Sequence, residues 1–202
     1  MNKILLYGAS GHGKVVISVL KSLEYELAGI FDDNINISHL NINTQIVNVY
    51  DPTFFSNAPI IISIGDNKIR KNLTKIIKHK YISLKHPSSI INETSMIDIG
   101  TVLMHNSVVQ ANTRIGQHCI INTSAVVEHD CFISNFVHIS PGACLCGNVT
   151  INEGTHVGAN STILPNIQIG KWCKIGAGAV ITKNIPDNVV VVGNPGKIIK
   201  YI

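Results

Sequence analysis

Ile115-Gly116-Gln117-His118-Cys119-Ile120-Ile121-Asn122-Thr123-Ser124-Ala125-Val126-Val127 places Ile, Ile and Val six residues apart. Outward from this stretch the beat continues without a miss: Ile91, Ile97, Leu103 and Val109 before it, then Ile133, Ile139, Leu145, Ile151, Val157, Ile163, Ile169, Ile175 and Ile181. Two residues before most of these stands a small side chain, such as Ser95, Thr101, Ser107, Thr113, Cys119, Ala125, Cys131, Ala143, Thr155, Ser161, Cys173 and Ala179. An α-helix repeats every ~3.6 residues and a strand every ~2, so neither alone yields six. A prism does. Each hexad is one short parallel strand and a turn, three hexads close a coil of eighteen residues, and each inward aliphatic stacks on the one a coil later.

The 202 residues suffice for one large or two small domains, and 45% apolar content makes a core easy to build. Aromatics are only 5%, as a narrow repeated interior of Ile and Val requires. The net charge of +4 is mild, and no basic run interleaves with aromatics, which argues against nucleic acid and suits anionic small molecules. Cys119, Cys131 and Cys173 occupy the small inward position, while Cys144 and Cys146 are too close for an ordinary disulfide and lack a second pair at zinc spacing. All five are expected to be reduced and structural. Lys3-Ile4-Leu5-Leu6-Tyr7 reads as a strand rather than a signal peptide, and no apolar run reaches the ~18 residues of a membrane span. A soluble, cytoplasmic protein without a membrane partner is expected.

The chain divides into residues 1–86, 87–183 and 184–202. In the first part, strands over Lys3–Tyr7, Glu26–Phe31 and Pro59–Ile64 alternate with helices over Val15–Leu23 and Lys68–Lys80, with Tyr81–Leu84 a candidate fourth strand. That alternation predicts a small parallel, Rossmann-like α/β sheet. Residues 34–58 are Asn-rich and resist assignment. His86-Pro87-Ser88-Ser89 is the expected hinge, the hexads fill 87–183, and 184–202 form a tail.

Gly8-Ala9-Ser10-Gly11-His12-Gly13-Lys14 follows the first strand. Glycines there let backbone amides approach a phosphate at a helix N-terminus. The spacing matches a P-loop, but Val15 stands where Ser or Thr would hold magnesium. A dinucleotide fingerprint is the second reading, with Asp32 at the end of the second strand facing a ribose, yet one half-fold holds a mononucleotide more readily than NAD. A tight turn that binds nothing is the third. His12 in the turn, and Gly65-Asp66-Asn67 after the third strand at the same edge, favour a ligand.

On the repeats, His129 lies between Glu128 and Asp130. A carboxylate beside an imidazole fixes its tautomer and supports a general base. His138 and His156 are eighteen residues apart and should stack on neighbouring rungs, about 4.8 Å apart. A zinc site shared between subunits would need one more histidine that the sequence does not supply, so no metal is expected.

Together these motifs resemble the left-handed β-helix acyltransferases, and more narrowly the bacterial sugar O/N-acetyltransferases with a small nucleotide-binding domain before the prism, bacillosamine-type N-acetyltransferases and sialic acid O-acetyltransferases among them. The resemblance rests on the Gly8–Lys14 turn, Phe31-Asp32-Asp33, Ile64–Asn67 with Arg70, Val127–Asp130, Val137–Gly142, Gly147-Asn148-Val149, Ile175–Val180 and Val192–Lys197. It implies a left-handed parallel β-helix, a homotrimer, and acetyl-CoA as co-substrate in the groove between prisms. It implies His129 as the base, with Asp130 or Glu128 as the orienting carboxylate. His138 would meet the thioester, and Gly147, Ala159 and Ala177 would line the pantetheine groove. Gly11, His12, Gly13, Asp32, Asp33 and Gly65 would meet the nucleotide-sugar. The implied reaction is acetyl transfer to the amine of a UDP-4-amino-4,6-dideoxy sugar in bacterial surface glycan biosynthesis. Sugar O-acetylation, and a metal-dependent or non-catalytic prism protein, are the alternatives.

Overall fold

The computed structural model describes residues 3–34 and 44–202. The hexad series closes into a triangular parallel β-helix. One wall, wall I, carries the strands Leu84–Lys85, Val102–Leu103, Ile120–Ile121, His138–Ile139, His156–Val157 and Lys174–Ile175. Wall II starts at Ile90–Ile91 and runs through Val126–Val127 to Val180–Ile181. Wall III starts at Met96–Ile97 and runs through Phe132–Ile133 to Gln168–Ile169. Every pairing between these strands is parallel with an offset of one coil, as in Ile120↔His138 and Val126↔Cys144. From Leu103 to Ile181 the inward series is at most 3% exposed, while Ile91 and Ile97 are only partly covered at the open end.

A second beat of six sits at the corners. Gly100, Asn106, Asn112, His118, Ser124, Asp130, Phe136, Gly142, Asn148, Gly154, Asn160, Asn166, Trp172 and Gly178 all have φ between +53° and +77°. Left-handed backbone is what a tight corner demands, and Gly and Asn tolerate it at least cost. His118, Phe136 and Trp172 are bulky exceptions held by packing: His118 stacks on Phe136, and Lys71 lies over the Trp172 ring at 5.2 Å. All five cysteines are free. Cys119, Cys131 and Cys173 are buried, and Cys144 and Cys146 half-buried.

The N-terminal sheet has four parallel strands: β1 (Lys3–Tyr7), β2 (Glu26–Phe31), β3 (Ile46–Val47) and β4 (Ile60–Ile62), in the order β3-β2-β1-β4. Helix α1 (Gly11–Ser22) buries Val16, Ile17, Val19 and Leu20. Helix α2 spans Asn67–Leu73 and is capped by the Asp66 carboxylate, which accepts from the Ile69 amide at 2.9 Å.

Three details differ from the sequence expectation. Helix α1 begins at Gly11, because Gly11 and Gly13 are helical and the supposed turn is its first turn. Helix α2 stops at Leu73, short of Lys80. The Tyr81–Leu84 segment does not form one strand: Tyr81 bridges Ile60, while Leu84 already pairs with Val102 on the prism. Leu84 and Val102 are outward-facing apolar residues, and the N-terminal domain covers them in a shared core with Met104, Val16 and Leu20. Of the unassigned stretch 34–58, residues 35–43 lie outside the described residues and β3 is an added strand.

Candidate active site

Two groups of site residues emerge, on opposite sides of the prism. The first is at the corner between walls II and III, where His129 and Asp130 lie between Val126–Val127 and Phe132–Ile133. The left-handed backbone at Asp130 (φ +60°) turns its carboxylate back onto its neighbour, so Oδ2 lies 2.8 Å from His129 Nδ1. Asn112, one coil below, donates to the other oxygen at 3.3 Å. His129 Nδ1–H therefore donates to Asp130, which leaves Nε2 with a free lone pair. Among the described residues Glu128 makes no side-chain hydrogen bond or ion pair, so Asp130 is the orienting carboxylate. The pair is open to solvent, with side-chain exposures of 60% and 52%. One coil above, Gly147 leaves room for the ring: a Cβ there would lie 2.6 Å from His129 Cε1 and 2.7 Å from Nε2.

The second group is on wall I. Its outward ladder reads Leu84, Val102 and Ile120, all buried, then His138 and His156. The two imidazoles stack with centroids 4.6 Å apart and planes 14° apart. Asn122 Nδ2 faces His138 Nε2 at 3.0 Å, and Ser140 Oγ meets His156 Nε2 at 2.7 Å. Burial first, then the neighbouring charges of His156, Arg70 and His12, push the pKa of His138 down to about 2. Ala159 and Ala177 line the corner between walls I and II, one coil apart, with Gly178 donating its amide to the Ala159 carbonyl at 2.8 Å. Among the described residues no three His, Cys, Asp or Glu side chains converge as metal ligands.

The C-terminal edge of the small sheet meets this wall, between β1 and β4, where strand order reverses. Gly13 is held to the strand: a Cβ would come within 2.4 Å of the Gly8 carbonyl oxygen. At Gly11 and Gly65 a Cβ would meet nothing within 4 Å, so the space above the helix N-terminus is open. Asp32 accepts the Ala9 amide at 2.6 Å and the Asn34 amide at 2.9 Å, and Asp33 accepts from the Tyr7 hydroxyl at 2.8 Å. Both carboxylates thus shape the loop as well as facing it. His12 lies 6.2 Å from His138, centroid to centroid. Its buried Nε2 has no partner among the described residues, and burial, then Arg70, lowers its pKa to about 4.

The structure brings His12, Gly65 and His138 together, and separately His129, Asp130 and Gly147. It does not join the two groups within one chain, because the corner between walls II and III is the one opposite wall I. Sequence reasoning missed Asn112, Asn122 and Ser140. Asn112 is one coil before Asp130, and Asn122 and Ser140 each precede their histidine by sixteen residues, so coil arithmetic carried the signal.

Residues 3–77 match the model of the PglD N-terminal domain, and residues 148–183 that of the bacterial transferase hexapeptide (six repeats). GDP-perosamine N-acetyltransferase of Escherichia coli is 30% identical over 156 residues, covering 71% of this chain and 69% of that protein. UDP-N-acetylbacillosamine N-acetyltransferase of Bacillus subtilis is 37% identical over 117 residues, 52% of each chain. The structure of PerB from Caulobacter crescentus, in complex with CoA and GDP-perosamine, superposes with a TM-score of 0.92 at 28% identity, covering 99% of this chain and 98% of that one.

The hydrogen bond from His129, then that from Asn112, holds the Asp130 carboxyl below its ordinary pKa. His129→Ala should raise that pKa toward the usual carboxylate range, read by carbon-13 NMR titration. An unmoved Asp130 would mean the pair does not form in solution.

Proposed function

The chain belongs to the acetyl-CoA-dependent hexapeptide-repeat sugar N-acetyltransferases that carry a PglD N-terminal domain, and we propose that it acetylates the amine of a nucleotide-linked sugar. The acceptor we assign is a UDP-4-amino-4,6-dideoxy sugar of a bacterial surface glycan pathway. The B. subtilis relative, named for a UDP sugar, supports this choice at 37% identity. Both substrates are cytoplasmic metabolites, which is where this reading puts the enzyme.

The observation that carries the mechanism is the His129–Asp130 pair seated on Gly147. The sugar amine attacks the thioester carbonyl, and His129 Nε2 takes a proton from it. Asp130 stabilises the imidazolium. The tetrahedral intermediate then expels the CoA thiolate, which receives the proton from His129. Backbone amides are the better oxyanion donors, because both nitrogens of His138 are already engaged, with Gly65 and Asn122. No nucleophilic side chain is required.

In this reading residues 1–86 hold the nucleotide-sugar through Gly11, His12, Gly13, Asp32, Asp33 and Gly65, and residues 87–183 hold acetyl-CoA. Gly147 is beside the dyad, while His138 is on the opposite wall and Ala159 and Ala177 are at the corner between walls I and II. A groove lined by both sets needs two chains, which supports a homotrimer with acetyl-CoA between adjacent prisms.

Acetyl transfer to a panel of UDP-, GDP- and CMP-linked sugars, read by mass spectrometry, tests the reading. A UDP-linked amino sugar should gain one acetyl group. Preference for a GDP sugar would overturn the nucleotide assignment, and acetylation of a hydroxyl alone would overturn the acceptor. His129→Ala should lower kcat roughly 10²–10⁴-fold, the usual worth of a general base. Near wild-type turnover would exclude His129 as the base. Gly11→Val projects into open space, so the chain should fold, with a raised KM for the nucleotide-sugar and an unchanged KM for acetyl-CoA. Equal damage to both constants would mean the domains do not divide the substrates.

A further inference from the structure

Arg70 is a fully buried side chain, 1% exposed, and none of its hydrogen bonds goes to a carboxylate. Nε donates to the His118 carbonyl at 2.7 Å, and Nη1 to the carbonyls of Ile64 at 2.9 Å and Gly65 at 3.3 Å. Nη2 donates to Asn67 Oδ1 at 2.7 Å and the Phe136 carbonyl at 3.1 Å. Burial brings its pKa down to about 10, which still leaves it charged at neutral pH. A buried cation on neutral acceptors is a costly anchor. An apolar side chain could fill the volume, but only a planar fork can hold carbonyls on the β4–α2 loop and on two successive prism coils at once.

One of those carbonyls has a second task. Gly65 O also faces His138 Nδ1 at 3.3 Å. A carbonyl only accepts, so Nδ1 carries the proton. At the other end of the ring, Asn122 Oδ1 accepts the Thr123 amide at 2.8 Å, which turns Nδ2 toward His138 Nε2. Nε2 is therefore an acceptor. Both ends of the imidazole specify one form, neutral with the proton on Nδ1. The groups facing it are His12 from α1, Arg70 from α2 and His156 from the next coil.

We infer that Arg70 is a positioning residue for acetyl transfer: by fixing the Gly65 carbonyl it holds His138 in one orientation and one tautomer at the edge where the nucleotide domain meets the prism. This rests on the reading that His138 meets the thioester. The arginine thereby ties the loop that faces the sugar to the ring that faces acetyl-CoA, and a displacement at either would reach the other.

The test combines nitrogen-15 NMR of His138 with kinetics. The wild-type ring should be the neutral Nδ1–H form at pH 7. Arg70→Lys keeps the charge but not the fork. It should give a mixture of tautomers and a kcat lower by roughly 10–100-fold, the scale of a misplaced reacting group. A wild-type ring protonated on Nε2 overturns the inference. So does Arg70→Lys with an unchanged tautomer, or with a changed tautomer and unchanged kcat. Should Arg70→Lys fail to fold, Asn67→Ala removes one of the guanidinium's acceptors. An unchanged ring and kcat there are equally fatal. The spectra need no turnover, so a wild-type chain that acetylates no sugar would sink the proposed function and leave the Arg70–His138 link to be judged by itself.

Discussion

Coil-on-coil stacking of the inward aliphatics constrains everything else in the molecule. Because each inward residue sits on the one eighteen positions later, every outward residue also has a fixed wall and height. A wall residue cannot drift to a corner without breaking the fully buried ladder from Leu103 to Ile169. Burial of these side chains is worth roughly 1.5–3 kcal/mol each, so the register is strongly held. The apolar outward residues Leu84 and Val102 then fix which wall the N-terminal domain covers. Its ligand edge is thereby aimed at the next rungs up, His138 and His156. The same arithmetic sends His129 to the opposite corner.

The two groups have contrasting electrostatics. Around wall I, burial and the nearby Arg70 charge hold His12, His118 and His138 well below the ordinary imidazole range, and His156 below it too. These rings are therefore neutral at physiological pH. At the other corner the His129–Asp130 pair is exposed to solvent. An ion pair formed there in the free protein is screened and contributes little to folding. Its value lies in orientation: Nδ1 is committed to Asp130, and Nε2 is left free to accept a proton.

The prism was legible because a strict period of six admits few architectures, and His129 with Asp130 stood out as adjacent residues. The parallel α/β sheet was legible from alternating strands and helices. Other features depended on three-dimensional closure. Helix α1 starts at Gly11 because two glycines that read as a turn are also compatible with a helix once Ser10 is extended. Leu84 joined the prism instead of the small sheet because its partner, Val102, is eighteen residues away and no local signal marks the pair. Arg70 was visible only as part of a motif. Its role depends on carbonyls of Gly65, His118 and Phe136, and backbone oxygens leave no trace in a sequence.

In the trimer proposed above, one chain's dyad works on a nucleotide-sugar held by its neighbour. Subunit mixing tests it most directly. His129→Ala chains lack the base, and Gly11→Val chains lack a competent nucleotide site. Unfolded together and refolded at limiting nucleotide-sugar, they should recover activity that neither has alone, up to about a quarter of wild type if chains mix at random in a closed ring. A mixture no more active than its components would contradict the account, since it would mean that His129 and the nucleotide domain of the same chain serve one site.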